Sequence, residues 1–197
     1  MRVSPDGGVR LTVPRGASIA GGLSFATRQS QWIERQLHRL RLRDAPWQTG
    51  TEIMFRGEKV ALALDDLVAR VGPETVPLPD GVVNVRETIE AHLRALATRE
   101  LPPRCFELAR QTGVRVDHVA VRNQRSRWGA CSPNRTVTLN WRLVQMPPSV
   151  SDYILFHELM HVRQPNHSRK FWREVASVCA WWRDAERWLR KNGREIL

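Results

Sequence analysis

The run Tyr153-Ile154-Leu155-Phe156-His157-Glu158-Leu159-Met160-His161-Val162 sets two histidines and a glutamate among apolar residues, and Gln164-Pro165 follows at once. As a helix, this run puts His157 and His161 on one face, because residues four apart stack over one another. Two imidazoles and a carboxylate in such surroundings are costly to bury unless they are paired or hold a metal ion. Pro165 cannot continue the helix and restricts the residue before it, so the chain can turn back and bring His167 toward the pair. Three of the six histidines therefore fall in one short segment with a break between the second and the third.

Three neutral imidazoles suit zinc, and a catalytic zinc site combines three protein ligands with an open position. His157, His161 and His167 are read as metal ligands and Zn2+ as the ion. Glu158, next to the first ligand, suits a general base that holds the attacking water. The pattern predicts a mononuclear zinc hydrolase centre. Glu174 is the competing third ligand, and Tyr153, one turn before His157, is a candidate electrophile. A histidine-bearing core helix without metal is the plain alternative. So is a structural zinc site, which would close its fourth position with another ligand.

At 197 residues the chain can bury a sizeable core as one large domain or as a small lobe on a larger one. Cys105, Cys131 and Cys179 are widely spaced and form no CxxC pair, which fits free thiols in a reducing compartment. No run approaches the length of a membrane span, and Pro5, Asp6, Gly7 and Gly8 interrupt the place a signal peptide would need. A cytoplasmic protein is the expectation. Lysine and arginine total 31 against 20 aspartates and glutamates, a formal charge of +11. Such a balance draws anionic partners, nucleic acid and acidic peptides alike, without naming a reaction.

Period and punctuation predict an α+β fold. Pro5-Asp6-Gly7-Gly8 reads as a hairpin turn before the alternating Val9–Val13, and residues 23–43 read as a helix. Residues 51–67 return to short strands that bend at Gly57. Prolines 73, 77 and 79 with Asp80 and Gly81 mark a seam, so residues 1–80 are expected to form a small β-rich supporting lobe and 81–197 the metal domain. Past the seam, helices are expected at 88–99 and 106–112, interrupted by Pro102-Pro103. Strands are expected at 114–121 and 136–141, with a turn at Ser132-Pro133-Asn134. Ser149 or Ser151 can cap the histidine helix. Phe171, Val175, Val178, Trp182, Ala185 and Leu189 recur in steps of four and three, the apolar face of one long C-terminal helix, with Trp172, Trp181 and Trp188 beside it.

The segment Asn123–Trp172, NQRSRWGACSPNRTVTLNWRLVQMPPSVSDYILFHELMHVRQPNHSRKFW, resembles the YgjP-like metallopeptidase domain, whose pattern joins an RSRWGSCS segment, an LNW strand, a HELxH helix and NHSxxFW. The RGASI and QWI stretches near the N-terminus extend the likeness over nearly the whole chain. The resemblance implies a zincin-like core, similar to that of SprT-like domains, with His157, His161 and His167 as ligands and Glu158 as base. Ala130 stands where serine is common in that family. Gln164 replaces the glycine found at the equivalent step of metzincins, so the turn must be made another way, through Pro165-Asn166.

Between Val121 and Arg142 there are five arginines, at 122, 125, 127, 135 and 142, and no acidic residue. Arg127 is a candidate for stabilising an oxyanion or binding a substrate carboxylate. Its plainer role would be packing on Trp128 or pairing with an acid. Thr136–Trp141, directly before the histidine helix, is expected as the edge strand of the cleft, to which an extended peptide could add. The reading is a zinc-dependent metallopeptidase acting on peptide or protein substrates. A nucleic-acid-associated protein and a noncatalytic metal-stabilised scaffold are the alternatives. The former lacks finger cysteines, a phosphate loop and an RNA-binding aromatic signature.

Overall fold

The computed structural model describes residues 1–4 and 6–196, apart from the side chains of Arg39, Arg41, Leu42, Arg43 and Asp44. The chain is α+β and forms two compact units, Met1–Pro46 and Trp47–Leu197. These part ahead of the seam read from residues 73–81.

In the first unit β1 (Arg2–Val3) pairs antiparallel with β2 (Val9–Arg10). Gly7 closes the turn at φ 81°, and Pro5 of the same turn lies outside the described residues. The single helix expected at 23–43 starts earlier and is two, α1 (Ile19–Arg28) and α2 (Ser30–Asp44). Ser18 caps α1 by accepting the Gly21 amide at 2.9 Å. This unit is mainly helical, not β-rich, and none of its described side chains is buried.

The strands assigned to the N-terminal lobe belong to the second unit. β3 (Glu52–Phe55) and β4 (Glu58–Ala61) form a hairpin, and β5 (Ala63–Leu64), β6 (Val68–Val71) and β7 (Glu74–Pro77) an antiparallel meander. The Arg56 and Gly57 amides at the hairpin tip donate to the carbonyls of Val144 (3.2 Å) and Gln145 (2.9 Å). Backbone bonding of this kind, and not sequence proximity, assigns the strands to the metal domain. A side chain at Gly57 would collide with the Pro147 ring.

α3 (Val85–Gln111) runs straight through Pro102 and Pro103, where two shorter helices were expected. The carbonyls left without amide partners belong to Thr98 and Arg99, both exposed, so water can satisfy them. Meanwhile Leu93, Leu96, Ala97, Leu101, Cys105, Leu108 and Ala109 hold one buried face across the prolines. Burial of that face outweighs the break.

The central sheet has the order β8-β10-β9, from β8 (His118–Arg122), β9 (Gly129–Cys131) and β10 (Thr136–Asn140). β10 runs parallel to β8 and antiparallel to β9. The 136–140 strand is therefore central, with β8 and β9 as the edges. A 3-10 turn over Trp141–Gln145 leads to α4 (Pro148–Arg163), which packs on α3, β9 and β10. Neither Ser149 nor Ser151 caps α4. Pro148 starts it at a position where the missing amide costs nothing. Arg104 of α3 ties down the α4 carboxylate of Asp152 through two bonds, of 3.0 and 2.6 Å.

The long C-terminal helix is also two, α5 (Arg169–Val178) and α6 (Trp182–Ile196). A single helix would separate residues 172 and 182 by about 15 Å along its axis. The break at buried Cys179 instead stacks Trp172 on Trp182, with ring centroids 4.9 Å apart. Leu93, Val137, Leu139, Leu143, Leu155, Leu159, Phe171 and Val175 form the fully buried centre of this unit. No described helix is long and apolar enough to cross a membrane.

Candidate metal centre

α4 ends at Arg163 with Gln164 in an extended conformation, as Pro165 demands. Asn166 then accepts the Ser168 amide at 3.3 Å, and Ser168 caps α5, so His167 is held on the short bridge between two helices. His167 Nε2 lies 2.9 Å and His161 Nε2 3.2 Å from His157 Nε2. The candidate ligand atoms of the three residues all fall within 4.8 Å of one another.

Four ligands around a zinc ion with bonds of about 2.0–2.1 Å stand roughly 3.3 Å apart. The observed separations approach that spacing. His161 Nδ1 lies 3.1 Å from the Gln164 carbonyl, which can take its proton and leave the Nε2 lone pair for a metal. Burial, and then the neighbouring imidazoles, push the His157 pKa down to about 3, and burial lowers that of His161. Both rings are therefore neutral near pH 7, the form that ligates. Phe171 stacks on the His161 ring at 4.5 Å and Trp172 flanks His157 and His167 at 5.9 Å, so α5 supplies an aromatic bed for the cluster. The donor set and its spacing fit a zinc ion.

Glu158 is buried on the inner side of α4 and faces β9. Burial raises its pKa to about 7, against an opposing pull from the Arg127 guanidinium. A cleft of about 630 Å³ is lined by Glu158, the three histidines, β9 and Arg127. Arg127 makes no stacking contact with Trp128 and pairs with no acid among the described residues. Its loop is pinned by buried Asn140, whose side-chain amide donates to the carbonyls of Gln124 (2.8 Å) and Arg127 (3.0 Å). The backbone amide of Asn140 also donates to Trp128 (2.8 Å).

The other candidates lie elsewhere. Glu174 binds Arg163 at 3.1 Å, and the buried Tyr153 hydroxyl donates to Glu186 at 3.4 Å. Asn140 and Gly129 escaped the sequence reading, although an asparagine ending an apolar strand and a glycine inside one were visible signals.

The profile of the YgjP-like metallopeptidase domain matches residues 1–192. The chain belongs to that family. Among solved structures, this YgjP-like domain is similar to the crystal structure of the metallopeptidase zymogen of Pyrococcus abyssi abylysin. The match has 25% identity and a TM-score of 0.40, and covers 45% of this chain and 91% of that one. No curated protein matches it.

Proposed function

We propose that this metallopeptidase-family chain is a zinc peptidase that hydrolyses peptide bonds in peptide or protein substrates with Glu158 as its general base. The reading rests on one observation: three imidazole nitrogens converge beside a buried carboxylate on the wall of an open cleft. A purely structural ion site would be closed by a fourth protein ligand. Here no cysteine or carboxylate completes the set among the described residues.

Bound at His157, His161 and His167, zinc would supply a Lewis acid and lower the pKa of a water toward about 7. Glu158 takes the proton of the attacking water and returns it to the departing amine. Its place on the cleft wall beside the three imidazoles suits one carboxylate to both transfers. Arg127 lines the cleft, and its guanidinium would stabilise the developing oxyanion. The free edge of β9 receives an extended peptide through backbone hydrogen bonds, the role expected of the 136–141 strand. The charge of +11 favours acidic partners, nucleic acid included, at encounter.

Glu158→Gln keeps the shape and removes the base. Substrates are found by exposing cell extract to the wild type and to this variant and identifying new protein termini. The variant should retain its metal and lose at least about 100-fold in turnover. Unchanged turnover in a metal-loaded variant would remove Glu158 as the base.

A further inference from the structure

The cleft carries a second arginine that the peptidase chemistry does not use. Arg135 lines it at the far end of β9 from Arg127, at the close of the Ser132–Arg135 turn. Its side chain is exposed and meets no acid among the described residues. Apart from the histidines, the charged groups lining the cleft are Arg127, Arg135 and the buried Glu158. Positive charge thus stands at both ends of the edge strand, with buried Glu158 near Arg127 as the one acid lining the cleft among the described residues and no acid paired with Arg135.

The backbone at Arg135 adds an independent observation. Its φ is 52°, a left-handed conformation that it shares with Arg56 and that glycine adopts at less cost. The turn is set by backbone bonds, Arg135 amide to Ser132 carbonyl (3.0 Å) and Asp117 amide to Arg135 carbonyl (3.1 Å). The Ser132 hydroxyl also accepts the Thr136 amide at 3.2 Å. Glycine would satisfy all of these with less strain. The turn therefore does not require the arginine side chain.

We propose that Arg135 determines specificity by pairing with an acidic side chain of the substrate close to the scissile bond. The inference rests on the peptidase reading and names the substrate class for that site: peptides carrying Asp or Glu beside the cleaved bond. The three residues of β9 span about 10 Å, so a peptide lying along them brings a side chain to Arg135 within about three residues of the bond. A guanidinium binds a carboxylate in a two-pronged geometry that an ammonium cannot reproduce, which makes the contact selective as well as attractive.

The test uses the zinc-loaded full chain and a degenerate dodecapeptide library, with cleavage products sequenced. Wild type should enrich Asp and Glu about tenfold at one position within three residues of the bond. Arg135→Gly should abolish that enrichment while keeping its zinc and a melting temperature equal to or above that of wild type. Arg135→Glu should shift the preference to Lys and Arg. Arg99→Gln, which removes the same charge from an exposed site outside the cleft, should leave it intact. A preference that survives Arg135→Gly, or falls equally in Arg99→Gln, overturns the proposal, as does cleavage without acidic preference. If no peptide is cleaved, the peptidase reading fails. The affinity of metal-loaded Glu158→Gln for fluorescein-labelled Glu-rich against Gln-rich dodecapeptides then decides Arg135 separately: a difference of about tenfold that Arg135→Gly removes supports it, and equal affinities overturn it.

Discussion

The carboxylate of Glu158 rests against the bare backbone of Gly129: a methyl group there would stand 2.6 Å from Glu158 Cγ and 2.7 Å from Oε1. The edge strand therefore approaches Glu158 more closely than any other residue type would permit. Gly129→Ala must displace either the carboxylate or β9. Because the histidines lie on α4 and the bridge after it, the variant should keep its metal and lose about 10- to 100-fold in turnover, with the loss mainly in kcat. Wild-type kcat with a raised KM would show that Gly129 serves substrate binding alone.

Metal content tests the histidine cluster directly. Protein purified without a histidine tag should carry close to one zinc per chain by elemental analysis. His161→Ala should lose most of it, since it removes one of three converging nitrogens, the one whose ring the Gln164 carbonyl orients. Full occupancy in that variant would take His161 out of the ligand set.

Cys131 reports on the cleft. It lines the cavity and is partly exposed, whereas Cys105 and Cys179 are buried. Burial first, and then the Glu158 charge, raise its pKa to about 11. Only the thiolate is alkylated, so the iodoacetamide rate in native protein should rise about tenfold per pH unit between pH 8 and 10, still below that pKa. Mass spectrometry should find the first adduct at Cys131, and that adduct should block peptide cleavage. First labelling at Cys105 or Cys179 would contradict the burial pattern.

Trp182 is half-buried, stacked on Trp172 and carrying the Arg183 guanidinium over its ring at 4.6 Å. A fully buried tryptophan truncated to alanine costs about 3–5 kcal/mol. Partial exposure lowers the expectation for Trp182→Ala to about 1–3 kcal/mol in urea unfolding. A loss below about 0.5 kcal/mol would mean that the stack does not hold α6 to α5.

The histidine cluster and its neighbouring carboxylate were legible in the sequence because their parts are local. His157, Glu158 and His161 share one helix, the proline after Gln164 ends it, and His167 comes within a few residues of that break. Helical periodicity and the geometry of proline suffice to bring such groups together. The edge of the sheet was misassigned, because strand order depends on hydrogen bonds between distant segments. Whether Thr136–Asn140 is central or peripheral depends on where His118–Arg122 and Gly129–Cys131 pair. The two prolines of α3 and the break between α5 and α6 were misjudged for a related reason. In both places local propensity yields to packing: a continuous buried face in the first, and buried Cys179 with the half-buried Trp172–Trp182 stack in the second.

The sequence by itself determined that three imidazoles able to hold a metal come together beside a carboxylate, since their spacing along one helix and across the proline break after it does not depend on the rest of the chain. Tertiary structure alone decided what surrounds them. It set Gly129 against Glu158, had Asn140 tether the Arg127 loop, and placed Arg135 at the far end of the cleft. Each of these joins segments far apart in the chain, and their positions follow from the packing of a shared core.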